Sequence, residues 1–96
     1  MKLDGKQKRF LRGLASKEKA VFQIGKEGLS DNLYNGIRTY LDAHELAKVS
    51  VLKSCDLDMN EIAIELSART NSELVQIIGK TVVLYRQSKD RIIDLP

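Results

Sequence analysis

The chain has no tryptophan, one proline, one cysteine and one histidine in 96 residues, and each scarcity removes a class of explanation. A single cysteine, Cys55, cannot close an internal disulfide, and it is read as a reduced, unreactive thiol. One histidine, His44, without a cysteine pair cannot build a zinc site of the usual spacing, so no metal site is expected. No apolar run approaches the roughly 20 residues of a membrane-spanning helix. The charged start, with Lys2, Asp4 and Lys6, has no apolar block behind it, so neither a signal peptide nor an anchor is read and the expected location is cytoplasmic. The aromatic residues are only Phe10, Phe22, Tyr34, Tyr40 and Tyr85, most of them on core stripes, which leaves little for stacking single-stranded bases. No nucleophile and base are paired and no cofactor motif is present, so neither an enzyme nor a small-molecule binder is expected.

What is present describes one α/β domain over residues 1–96: 43% of residues are hydrophobic and 30% are charged. The net charge of +3 is unevenly spread. Residues 1–26 carry eight Lys or Arg against two acids, residues 27–79 four against nine, and residues 80–96 four against two. Basic ends around an acidic middle predict a positive face and a negative face, the footprint of a polyanion binder. The competing class is a protein-interaction module whose basic face meets an acidic protein partner.

The stretch from Val21 to Ser30 organises the rest. Four residues of strand character end in Gly25-Lys26-Glu27-Gly28, and Ser30 and Asp31 then open an amphipathic helix. Two glycines at a strand-to-helix turn let a ligand's backbone come close, and free N–H groups at a helix start favour an anion such as phosphate.

Before that turn, Gln7 to Lys17 reads as a short helix with Phe10, Leu11 and Leu14 on one stripe and Lys8, Arg9 and Arg12 elsewhere around it. Gly13 weakens this helix and is taken to mark a close approach. Ala20 to Ile24 reads as a strand. The next helix spans about Asp31 to Ala43, with Ser30 as N-cap and Leu29 stapled to Tyr34. His44 beside Glu45 is a capping or packing histidine, since neighbours on a helix point apart. Leu46 to Lys53 alternates as a strand, with Val49 and Val51 on one side and Lys48 and Ser50 on the other. Asp58 and Glu61 match a capping box before a helix ending near Thr70, and Asp56, Asp58 and Glu61 lack the pattern of a calcium loop. Two apolar runs around Gly79-Lys80 make a hairpin, followed by a tail from Ile92 to Pro96 that pairs briefly or frays.

The order α-β-α-β-α-β-β predicts a four-stranded mixed sheet with helices on both faces. Crossovers make the first three strands parallel, and the hairpin adds an antiparallel fourth. Helices two and three share one face, and helix one covers the other.

Three segments in series resemble the CRM domain of the bacterial YhbY proteins: Val21 to Ser30, His44-Glu45-Leu46-Ala47-Lys48-Val49, and Ile78-Gly79-Lys80-Thr81-Val82-Val83-Leu84-Tyr85-Arg86. The resemblance covers nearly the whole chain. It implies a fold similar to the C-terminal domain of bacterial translation initiation factor three and RNA binding through the Gly-x-x-Gly loop. Carried onto this sequence, it gives the loop role to Gly25, Lys26, Glu27 and Gly28 and a second basic segment to Lys80 and Arg86. Lys8, Arg9 and Arg12 complete the expected contact set. The implied partner is RNA, namely ribosomal RNA in precursors of the large subunit, pre-50S particles, with no cofactor. Ala47 departs from the pattern where a larger aliphatic is usual, and Gln87 where proline often follows. Glu27 is unfavourable in a phosphate cradle unless its side chain turns to solvent or pairs with a lysine.

Overall fold

Val82, Val83, Leu84 and Tyr85 are all buried, and four consecutive residues without a solvent face require a strand covered on both sides. The computed structural model, which describes residues 2–96, places them at the centre of a four-stranded sheet. The elements are α1 (Gly5–Ala15), β1 (Phe22–Ile24), α2 (Asp31–His44), β2 (Leu46–Val51), α3 (Met59–Thr70), β3 (Glu73–Ile78) and β4 (Thr81–Tyr85), the expected order. The strands lie side by side as β1-β2-β4-β3. β1 runs parallel to β2, and β4 runs antiparallel to both β2 and β3, so the first three strands point one way. The hairpin therefore inserts its second strand between β2 and β3. Its turn is Gly79-Lys80, where Gly79 has φ 58° and Lys80 does not enter the left-handed region, the pattern of a type II′ turn.

Alternation along β2 divides the core. Ala47, Val49 and Val51 join Tyr34, Ile37 and Leu41 of α2 and Ile62, Ala63 and Leu66 of α3 on one face. Leu46 joins Leu11 and Ala15 of α1 with Val75, Val83 and Tyr85 on the other. Lys48 also points to the α1 side, where its Nζ donates to the carbonyls of Ala15 and Glu18, both at 3.0 Å, and so closes the end of that helix. A bulge in β3 sets Val75 and Gln76 against Val83, consistent with an edge strand made irregular.

Several boundaries differ from the sequence reading, each for a local reason. α1 starts at Gly5 rather than Gln7, because Asp4 caps it. Its carboxylate accepts from Gln7 N at 2.8 Å, and the Gln7 side chain accepts from Asp4 N at 3.1 Å, a reciprocal box. The helix ends at Ala15, two residues before Lys17. β1 is three residues long, although Val21 N still donates to Lys48 O, and β2 stops at Val51. A Cβ on Gly13 would meet nothing within 4 Å, so no close approach explains that glycine. The C-terminal tail is docked and not frayed: Ile93 and Leu95 pack on the α1-side core, and Ile93 N donates to Glu45 Oε1 at 2.6 Å.

Candidate functional site

The Gly25–Gly28 segment is a single β-turn closed by Gly28 N donating to Gly25 O at 3.0 Å. Gly28 has φ 70°, the left-handed position that often follows a type I turn and that only glycine takes freely. Gly25 is different: its φ is ordinary, and an added Cβ would stand 3.4 Å from Ser54 Oγ and 3.5 Å from Leu52 Cδ1. One glycine is thus required by conformation, and the other keeps open the space against the β2–α3 connection. Among the described residues, the amides of Lys26 and Glu27 have no intramolecular acceptor. The helix start beside them is partly satisfied from within, since Ser30 Oγ accepts from Leu33 N at 3.2 Å and Asp31 places an acid in the first turn. The loop's own amides are therefore the open donors. Glu27 is exposed and makes no ion pair among the described residues.

Sheet register shows what shares this end. Ile24 is paired with Val51, Leu52 N donates to Ile24 O at 2.8 Å, and Val51 N donates to Lys80 O at 2.7 Å. The ends of β1 and β2 and the hairpin tip therefore stand in a row, with neighbouring strands about 5 Å apart. Lys26, Lys80 and Lys53 belong to that row. All three are exposed, and none of their side-chain ammonium groups makes a hydrogen bond or ion pair among the described residues. Sequence reasoning missed Lys53, which was read only as the last residue of the strand from Leu46. Knowing that a β2 crossover must leave from the same sheet end as the loop would have found it. Asp56 and Glu27 are exposed at the same end, so its positive character is modest.

Between the turn and the β2–α3 connection lies an open hollow of about 410 Å³. The turn backbone and Lys26 form one side, Leu33 and Leu52 give it apolar surface, and Gln23, Ser30 and Ser54 supply polar groups.

Other predicted residues are not brought here. Arg86 stands at the far end of β4 from Lys80, roughly 20 Å away at ordinary strand rise. Its guanidinium is already engaged: Nη1 donates to Thr70 O at 2.7 Å, and Nη2 donates to Arg38 O at 2.9 Å and to Asp42 Oδ1 at 2.6 Å. Arg86 closes the end of α3 and ties it to α2, a structural role that the sequence reading did not give it. Lys8, Arg9 and Arg12 lie on α1, across the opposite face of the sheet, and none of them lines the hollow. The basic tail also departs from the Arg86 end. Lys26 and Lys80 thus stand at the loop, while Lys8, Arg9, Arg12 and Arg86 do not.

That far end holds a buried acid. Glu45 caps α2 at φ 69° and is fully buried. Its carboxylate accepts from Ser88 N at 2.6 Å, Ser88 Oγ at 2.7 Å and Ile93 N at 2.6 Å. Burial, the largest single influence, pushes its pKa up, but the bonds from Ile93 and Ser88 together outweigh burial and hold it below the ordinary glutamate value. The Tyr85 hydroxyl is buried without a partner among the described residues, and burial and then the Glu45 charge raise its pKa. His44 stacks on Tyr40 with ring centroids 4.2 Å apart. No group of three His, Cys, Asp or Glu among the described residues is placed to hold a metal, and no described helix is long and apolar enough to cross a membrane.

Fold and site together define a small α/β domain with a glycine-bracketed basic turn at the carboxyl end of two parallel strands. The chain belongs to the CRS1/YhbY (CRM) domain family, whose model matches residues 3–86. It is 50% identical over 95 residues to the probable RNA-binding protein YqeI of Bacillus subtilis, covering 98% of this chain and 99% of that one. A Haemophilus influenzae protein named an RNA-binding protein is 39% identical over 95 residues, covering 98% and 95%. The solution structure of the hypothetical protein SAV1595 from Staphylococcus aureus superposes with a TM-score of 0.83 at 48% identity, covering 99% of this chain and 100% of that one.

Proposed function

We propose that this protein binds structured RNA through the Gly25–Gly28 turn and its row of lysines, and that its target is ribosomal RNA in large-subunit precursors in the cytoplasm. The observation that carries this reading is the set of Lys26, Lys53 and Lys80, exposed and with ammonium groups that have no internal partners, beside two open backbone amides, in a family whose relatives are named for RNA binding. The amides of Lys26 and Glu27 meet phosphate oxygens, the lysines neutralise the strand, and the Glu27 side chain stays in solvent. Lys8, Arg9 and Arg12 form a second, separate basic surface that follows bound RNA at a distance. Arg86 takes no part in contact. Binding, with no turnover, is the proposed activity.

The test has two parts. Salt titration of RNA binding is expected to give a slope of log affinity against log salt of about −2 to −3, for three phosphates neutralised. Crosslinking in cells followed by sequencing of attached RNA is expected to concentrate reads in large-subunit ribosomal RNA. A flat salt response overturns the electrostatic account. Reads scattered over messages overturn the ribosomal target and leave a general RNA binder. Protein free of RNA in cells but bound to an acidic protein overturns the reading altogether.

A further inference from the structure

The described large hydrophobic side chains that remain exposed include Leu52 and Leu57, both 41% exposed, and these two stand against the two glycines of the turn. Leu52 Cδ1 approaches the Cβ position of Gly25 at 3.5 Å, and Leu57 Cδ1 approaches that of Gly28 at 3.5 Å. A surface meant only for the phosphates of a duplex gains nothing from two leucines there, since apolar carbon beside a phosphate ridge stays hydrated or loses hydration without return. The hollow that Leu52 shares with Leu33 is about 410 Å³, within the range of small-ligand sites, and the rest of its lining comes from Gln23, Ser30, Ser54 and the Gly25–Gly28 turn, Lys26 and Glu27 included. Apolar surface for a flat face, a few polar groups for an edge and a lysine at the rim for a phosphate are the complement of one nucleotide.

We infer that the hollow between the Gly25–Gly28 turn and the Leu52–Ser54 segment seats a single unpaired base of the bound RNA. This inference rests on the RNA-binding reading and sharpens it from structured RNA in general to RNA that offers an unstacked nucleotide in a bulge or loop. The base lies on Leu52 and Leu33, its edge faces Gln23 and Ser54, and its phosphate meets the Lys26 amide and side chain. The seat is aliphatic. The aromatic rings are elsewhere: Phe22 packs edge-on to Tyr40 at 5.7 Å, and Tyr34 and Tyr85 are buried. Because a duplex keeps its bases stacked inward, only extruded bases reach such a hollow.

The probes are a short RNA duplex, the same duplex with a one-uridine bulge, and the same bulge with an abasic ribose, all titrated under one salt condition. The bulged duplex is expected to bind about tenfold tighter than the abasic one, the scale of a single base contact. The abasic and fully paired forms are expected to bind alike. Two variants of unchanged net charge locate the effect. Leu52→Ser removes the apolar seat and Ser54→Leu fills the hollow, and each is expected to erase the tenfold preference while leaving duplex affinity and its salt slope as in the parent. Both positions are exposed, and thermal unfolding on the same samples checks the fold. Equal binding of uridine and abasic bulges overturns the seat and leaves salt-dependent RNA binding standing. A preference that survives both variants also overturns it. Failure to bind any of the three RNAs overturns the RNA-binding reading itself.

Discussion

The two ends of the sheet hold their charges in opposite ways. At the end formed by the Gly25–Gly28 turn, Leu52–Ser54 and the Gly79-Lys80 tip, three lysine ammonium groups and two amides have no internal partner among the described residues. At the other end, Glu45 accepts three hydrogen bonds and Arg86 donates three, so each charge is consumed by the fold. Charge that is satisfied internally holds elements together and has little left for a ligand, whereas unsatisfied charge contributes little to stability and is available for binding. A basic residue in this domain is thus judged by which end of β4 it stands at, not by its proximity in sequence.

The sharpest way to break this comparison is at Glu45. Replacement by alanine leaves Ser88 N, Ser88 Oγ and Ile93 N without their acceptor and frees the tail, with an expected loss of about 3 kcal/mol in urea unfolding. RNA affinity of the fraction that remains folded should not change. The acid also gives this end a pH dependence of defined sign. Its folded pKa is below the unfolded value, so its contribution is present above the unfolded carboxyl range and is lost as pH falls through the folded value. A Glu45→Gln variant should flatten the stability profile on the acid side of neutrality. A profile as steep as the parent's there would mean that other carboxylates govern it.

Arg86 and Lys80 test the two ends on one strand. Arg86→Ala should destabilise by about 2 kcal/mol, mostly through the carbonyls of Thr70 and Arg38, because the Asp42 partner is 73% exposed and a pair so open to water contributes little. Lys80→Ala should leave unfolding within about 0.5 kcal/mol of the parent. It should weaken RNA binding and reduce the salt slope by about 0.7 to 0.9, one phosphate contact. If Arg86→Ala instead unfolds like the parent and loses RNA, the far end is a binding surface and the contrast collapses.

How much of this was legible in the chain depends on the distance over which a signal acts. Ser30 and Asp58 were readable as caps because an N-cap needs only the next three residues, and β2 was readable because its alternation is local. The parallel course of the first three strands followed from crossover length. Glu45 gave no such signal, since its partners Ser88 and Ile93 are 43 and 48 residues away in sequence. Lys80 and Arg86 were grouped as one basic segment although the apolar run between them was itself legible as a strand, and the length of that strand alone sets them at its opposite ends. Lys53 was passed over because its partners in the row come from two other strands.

The smallest expected effect lies within the turn itself, where Gly25 and Gly28 look equivalent in sequence. Gly28→Ala places a Cβ at φ 70°, and the left-handed region costs a side-chain-bearing residue about 1 kcal/mol, so unfolding should shift by that amount whatever the RNA does. Gly25→Ala meets no such strain. Its methyl finds Ser54 Oγ and Leu52 Cδ1 at ordinary contact distances, and the stiffer unfolded chain offsets any crowding, so stability should stay within about 0.5 kcal/mol of the parent. That methyl also enters the hollow. Gly25→Ala should therefore lower affinity for the uridine bulge a few-fold and leave the abasic bulge untouched, while Gly28→Ala should lower stability and affect both RNAs alike. Urea unfolding and RNA titration on the same two samples separate the roles. Should both alanines cost the same stability and leave both RNAs bound as in the parent, the turn is a structural connection, and the binding end must be sought among Lys8, Arg9 and Arg12 on α1.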